Sequence, residues 1–368
     1  MSCKILVINP GSTSTKISLF EDDKNVYTES LFHDAPELLK FPHVNDQTEF
    51  RTNVILNFLK EHNTDPADID VFVGRGGSAY SQPGGIMEID ETLYKDTKAG
   101  VDGNNHPAKL GVMIAYEMCQ KYGGRMFTLN PTNVDELCDM ARVTGIKGYY
   151  RQPQTHVLNQ KGIAEIHAEK LGRKYEECNF VVCHIDGGIT VTAHEKGKMI
   201  DGTMGAGGEG PFTPTRLGSL PLLEVCEYLE AGHTTHDLRV MMSRSAGFVS
   251  HFGTSNSDVI HQRIEEGDKH AALVWDTMCY QLCKSIGSMA TVLKGKVDAI
   301  LLTGGLVRFK DLVDFVKDRC GFIAPIETYV GEVEQEALAG AALKVMRGEI
   351  EAHKYTGKPV FSGFDFIK

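Results

Sequence analysis

The chain has 368 residues, 42% of them hydrophobic and 24% charged, with 38 basic against 49 acidic side chains and a formal net charge of −11. That balance excludes a nucleic-acid binder held by a basic surface, and no apolar run approaches the length of a membrane span. A chain this long is expected to split into two domains, and nine cysteines scattered from Cys3 to Cys320 point to reduced thiols in the cytoplasm.

In chain order, Lys4 to Ile8 reads as a strand, reached too early for a secretory leader to precede it. Asn9-Pro10-Gly11-Ser12 is a turn, Thr15 to Phe20 a returning strand, and Val26 to Leu31 a third. Phe50, Val54, Ile55, Phe58 and Leu59 space a helix over residues 47–63. A strand from Ile69 to Val73 delivers Gly74-Arg75-Gly76-Gly77. His106-Pro107 opens a helix over 108–121, and a strand over 126–129 ends at Asn130-Pro131. His156 stands at the start of a helix running to Leu171.

The pattern then begins again. Phe180 to Ile185 is a buried strand, Asp186-Gly187-Gly188 a tight turn, and Ile189 to Ala193 a returning strand. A glycine-dense loop over 205–210 leads into Pro211-Phe212-Thr213-Pro214-Thr215-Arg216. Helices dominate from Pro221 to Leu293, a strand over 297–303 stops at Gly304-Gly305, and Glu334 opens a last helix to Arg347. Gly348 ends that helix, and the polar tail beyond it is expected to be loose. His33, His62 and His353 read as surface residues. Cys279 and Cys283, four apart on a helix, read as core packing.

Asn9-x-Gly11 and Asp186-x-Gly188 each follow an apolar strand, 177 positions apart, a spacing that fits a duplicated domain better than a solenoid. Gly205-x-Gly207-x-x-Gly210 matches a dinucleotide-binding pattern, but Pro211 and Pro214 deny it the helix that this motif requires. No Walker A pattern occurs. Glycine turns that can receive phosphate oxygens, with an arginine close behind, point to phosphoryl transfer. Three such strand-ending turns in a duplicated chain match the actin-like ATPase plan, an α/β fold shared by acetate and sugar kinases, chaperone ATPases and actin. That plan places a nucleotide cleft between its domains. Expected here are a first domain of residues 1–151 plus 334–368 and a second of 152–333.

Four stretches, ILVINPGSTSTKISLF, HVLNQKG, CHIDGGIT and GPFTPTRLGSLP, resemble the acetokinase family and its butyrate kinase branch, in register from Lys4 to about Arg347. The resemblance implies reversible transfer of phosphate between ATP and a short-chain fatty acid, with Mg²⁺, giving acyl phosphate and ADP. Butyrate is the expected acid, with acetate, propionate and isobutyrate as alternatives, and a homodimer or higher homo-oligomer is implied. A carboxylate is already ionised at pH 7 and needs no general base, which suits a chain offering arginines, histidines and backbone amides.

Carried over by motif, Asn9 contacts the phosphoryl region, Arg216 stabilises the equatorial oxygens, His156 hydrogen-bonds the transferring group and His184 lines the phosphate path. Gly11, Ser12, Gly187, Gly188, Gly304 and Gly305 shape the nucleotide site. Glu334 binds Mg²⁺, and Asn130 stands at the family's metal-associated aspartate. His106 and Arg75 face the carboxylate, with Arg75 also a catalytic candidate. The chain departs from the family at Phe72 and Arg75, where arginine and histidine are usual, and at Asn130. It departs again at Asp186, where glycine is common, and at Gln154-Thr155 before the key histidine. Asn130 and Arg75 keep open a second class of function, a non-catalytic nucleotide-sensing module.

Overall fold

The computed structural model describes residues 2–77, 79–103 and 106–367. The chain divides into two compact units, Met1–Asp135 with Val333–Lys368, and Glu136–Glu332. In the first unit β1 (Lys4–Pro10), β2 (Ser14–Glu21), β3 (Lys24–Phe32), β4 (Val71–Gly74), β5 (Ile86–Glu88) and β6 (Arg125–Leu129) form one sheet, ordered β3-β2-β1-β4-β6-β5. The first three strands are antiparallel neighbours, with Ile8 opposite Ile17. On its other side β1 runs parallel to β4, and β4 parallel to β6. β1 is buried along nearly its whole length, which is why it reads as an unbroken apolar run.

The second unit repeats the plan with β7 (Asn179–Ile185), β8 (Ile189–Glu195), β9 (Lys198–Gly202), β10 (Ala299–Gly304) and β11 (Ile326–Val330), ordered β11-β10-β7-β8-β9. Here too an antiparallel meander leads, and its first strand takes a parallel partner on the other side. The 24-residue helix Lys269–Val292 sets Trp275, Met278, Leu282 and Ile286 into one core with Val181, Cys183 and Val191 of the sheet. Cys279 and Cys283 are buried in that core, so their helical spacing serves packing. All nine cysteines are free thiols. Among the described residues no helix is long and apolar enough to cross a membrane.

Three features differ from the sequence expectations. The units part at Asp135 rather than Arg151. Residues 136–151 are tied to the second unit, with Glu136 2.7 Å from Lys161 and the Arg151 guanidinium bonded to both Asp201 and Glu209. The tail is docked, not loose. His353 exchanges backbone bonds with Ile86 and Glu88, and Tyr355 is buried, donating its hydroxyl to Asp96 and accepting from the Tyr80 N–H. The buried Tyr355 ring packs with the core of the first unit and helps anchor the segment. Nor are the three histidines bare surface. His33 is buried against Thr15 Oγ1 at 2.8 Å, His62 stacks on Tyr27, and His353 is half-buried.

Candidate active site

In the second unit the site is built on the turn that follows β7. Thr213 and Thr215 donate their hydroxyls to the Gly187 carbonyl at 2.7 and 3.0 Å. Thr213 Oγ1 also accepts the Arg216 N–H at 3.0 Å, which closes the Thr213–Arg216 segment into a turn fastened to the tip. The consequence is the placement of the Arg216 guanidinium against Gly188. A Cβ at position 188 would lie 2.7 Å from Nη1 and 2.8 Å from Cζ, so a side chain there would have to displace the guanidinium. Arg216 Nε is buried with no hydrogen-bond partner among the described residues. Burial also pushes the guanidinium pKa down from its ordinary value, but arginine remains a cation at neutral pH. A half-buried cation with an unused Nε donor suits an anion.

The glycines of this region sort by cause. Gly304 has φ +105° and a Cβ there would meet the Ile185 carbonyl oxygen at 2.3 Å, so the fold itself demands glycine. Gly305 would meet Asp186 Oδ2 at 2.7 Å, the oxygen that accepts its own N–H at 2.7 Å. Asp186 Oδ1 accepts the Gly187 N–H at 2.7 Å, so this unusual carboxylate ties the β7–β8 turn to the end of β10. Gly187 is different: nothing lies within 4 Å of its added Cβ, and no packing explains it.

His156 is the residue before the helix Val157–Lys170, and its Nδ1 lies 2.9 Å from Thr190 Oγ1 on β8. Its ring stacks on His184 at 3.9 Å between centroids and 17° between planes. His184 is buried at the end of β7, with Nδ1 3.0 Å from Asn159 Nδ2 and Nε2 3.6 Å from Glu332 Oε1. Arg216, His184, the Asp186–Gly188 turn and Gly304-Gly305 thus sit on the β7 and β10 ends of one sheet or on the loop fastened to them, with His156 reaching β8 from the start of the helix Val157–Lys170.

In the first unit β4 meets the helix Lys109–Tyr122 backbone to backbone: a Cβ on Gly74 would stand 2.1 Å from the Gly111 carbonyl oxygen. That contact, and the Arg75 N–H donated to the Ile8 carbonyl, set Arg75 beside β1. Its Nη2 lies 3.1 Å from Glu334 Oε1 and its Nη1 3.3 Å from Asn9 Oδ1. Asn9 Nδ2 donates to Glu334 Oε2 at 2.8 Å and to Gln335 Oε1 at 3.1 Å, while Gln335 Nε2 donates to Ser18 Oγ. Asn9, Arg75 and Glu334, from three distant stretches of sequence, form one largely buried cluster.

The other predicted residues fall outside that cluster. Gly11 donates its N–H to the Ser14 carbonyl, Ser12 is exposed, and Cβ space at Gly11 is open enough that glycine is not imposed by packing. His106 is exposed, its Nδ1 accepting the Ala108 N–H before the 109–122 helix. Asn130 is buried at φ +42°, and its Oδ1 accepts the Gly85 N–H at 2.7 Å, so the oxygen a cation would take already holds a turn. The site also contains residues that sequence reasoning did not select: Asn159, Thr190, Thr213 and Gln335. Buried in helices, strands or loops, they carry no local sign of their role, and only tertiary contacts expose it.

No group of three or more His, Cys, Asp or Glu side chains among the described residues forms a ready-made metal site. Glu334 fits a Mg²⁺ that keeps its water and takes one protein carboxylate plus substrate phosphates, because a carboxylate with two bonds retains free lone pairs.

The sequence profile of the Acetokinase family matches residues 143–314. Butyrate kinase 2 of Clostridium acetobutylicum is 42% identical over 356 residues, covering 96% of this chain and all of that one. The acetate kinase of Porphyromonas gingivalis superposes with a TM-score of 0.74 at 18% identity, covering 94% of this chain and 100% of that one. A propionate kinase of Francisella tularensis gives 0.73 at 16%, with 92% and 98% covered. These two likenesses carry the actin-like two-domain α/β ATPase fold. The near full-length identity carries more, and with it this chain belongs to the acetokinase family of ATP-dependent carboxylate kinases.

Proposed function

We propose that this kinase phosphorylates butyrate, forming butyryl phosphate and ADP reversibly. The observation that carries the phosphoryl-transfer assignment is the half-buried Arg216 cation held against Gly188 with its Nε unpartnered among the described residues. Butyrate follows from the 42% identity to a butyrate kinase over the whole of that relative. In the reaction a carboxylate oxygen bonds to the γ-phosphorus as the bond from phosphorus to the β-phosphate oxygen breaks, and no proton need be removed. Arg216 would donate from its planar fork to oxygens of the transferring group, with His156 and His184 adding further donors. The open face at Gly187 would admit the phosphates.

On the first unit, Arg75 would bind the substrate carboxylate, and its existing pair with Glu334 keeps the guanidinium oriented for it. Glu334 would hold Mg²⁺, which when bound neutralises phosphate charge. Nine free thiols support a cytoplasmic, reducing compartment. The helix Leu222–Glu230 has no buried residue, and Leu222 and Leu223 are 81% and 66% exposed, which supports a homodimer using that face. Sedimentation of a Leu222→Asp, Leu223→Asp protein should then give monomers; an unchanged association state would dismiss that face.

Trapping acyl phosphate with hydroxylamine, across acids from acetate to valerate with isobutyrate, tests the function. The highest kcat/KM is expected for butyrate. A maximum at another acid would replace butyrate, and nucleotide binding without any acyl hydroxamate would support a nucleotide-sensing module instead.

A further inference from the structure

We infer that Asn159 is a positioning residue that fixes which nitrogen of His184 carries the proton, and so presents Nε2–H as a donor at the end of β7. The inference rests on the reading that His184 serves the transferring phosphoryl group, but the proton assignment itself comes from a hydrogen-bond chain. Thr303 Oγ1 lies 2.8 Å from the Gly331 carbonyl, which can only accept, so the hydroxyl hydrogen points there. Thr303 Oγ1 must therefore accept from Asn159, whose Nδ2 is 3.1 Å away, and this fixes which end of the amide faces it. The same Nδ2 is 3.0 Å from His184 Nδ1, so its second hydrogen meets that ring nitrogen, which must be the unprotonated one. The proton of His184 is left on Nε2, on the side of the Glu332 carboxylate at 3.6 Å.

Every member of this chain is buried enough to keep the arrangement. Asn159 and Thr303 have no exposed surface and His184 only 2%. The stacked ring of His156, itself bonded to Thr190, keeps His184 from turning over and exchanging its nitrogens. A neutral donor of fixed direction needs no reorganisation as charge develops in the transition state, which is what makes such a group effective. Of the titratable side chains near this ring, Glu332 approaches Nε2 and His156 stacks on its face, while Asn159 is at Nδ1.

The test is nitrogen-15 NMR of histidine-labelled full-length enzyme, with the His184 signals assigned by their loss in His184→Gln. The expected spectrum has an unprotonated Nδ1 and a protonated Nε2. In Asn159→Asp the new carboxylate can only accept, so the proton should move to Nδ1, and kcat should fall on the order of 10²-fold. Should that variant fail to fold, Thr303→Val removes the acceptor that orients the amide without adding charge. It should give a mixture of both tautomers and a kcat loss of about tenfold. A protonated Nδ1 in the wild-type enzyme, or an unmoved proton in either variant, overturns the inference. A reversed tautomer with unchanged kcat overturns it as a catalytic device, while acyl hydroxamate formation by the same variants would leave the kinase reading standing.

Discussion

The Arg216 guanidinium occupies the space where a side chain at Gly188 would begin, 2.7 Å from Nη1 and 3.0 Å from Nη2 to the Cβ position. A side chain at position 188 would therefore have to push the Arg216 guanidinium aside. The pairing joins two stretches that the sequence presents separately, a tight turn and the end of a proline-rich loop.

Even Gly188→Ala should consequently act through Arg216. The guanidinium would have to leave its seat, and kcat should fall on the order of 10²-fold, as for loss of one preorganised donor. Nucleotide affinity should change little. The outcome that counts against the pairing is a folded Gly188→Ala enzyme with normal kcat.

Glu334 and Asn130 should separate cleanly in a Mg²⁺ titration. Glu334→Gln removes a carboxylate that pairs with Arg75 and accepts from Asn9, and should raise the Mg²⁺ requirement. Asn130→Ala loses the bond to the Gly85 N–H and puts alanine at φ +42°, so it should lower stability by about 1–3 kcal/mol with little change in Mg²⁺ dependence. The reverse order in the titration would transfer the metal role to Asn130.

Stability should also report the burial of His33. Burial, and then the nearby Arg51 charge, push its pKa down from 6.5 to about 4. The unfolded chain takes up this proton near pH 6.5 while the folded protein does so only near pH 4, so stability is full above pH 6.5 and is lost as pH falls through that interval. His33→Gln should lessen the drop in Tm between pH 7 and pH 5, a difference of about 1–2 kcal/mol. Parallel curves for the two proteins would show that His33 is protonated equally in both states.

Much of the fold was legible because its central strands are buried on both faces. Residues 4–8 and 180–185 read as continuous apolar runs, and a repeated turn after each exposed the duplication. Short or weakly periodic elements gave no such signal: Ile86–Glu88 has three residues, and Ile326–Val330 has no fully buried position. The docking of the tail rests on tertiary contacts, Tyr355 in the core of the first unit and His353 against Ile86 and Glu88, that no local pattern announces. Within the candidate site, charged and glycine residues at strand ends carry a chemical signal in the sequence. Asn159 was not, because a buried asparagine in a helix has the same local appearance whether it holds a histidine or fills the core. Its partners His184 and Thr303 lie 25 and 144 residues away.

The most direct test of the mechanism is Arg216→Lys, measured for turnover and for nucleotide affinity in the same preparation. Lysine keeps the charge but loses the planar fork that donates to two oxygens at once. If Arg216 acts on the transferring phosphoryl group, kcat should fall by about 10²–10³, equivalent to roughly 3–4 kcal/mol, while nucleotide affinity stays nearly unchanged. A near-normal kcat with only a raised KM for the acid would contradict that role, and would leave Arg75, paired with Glu334 on the first unit, as the catalytic arginine.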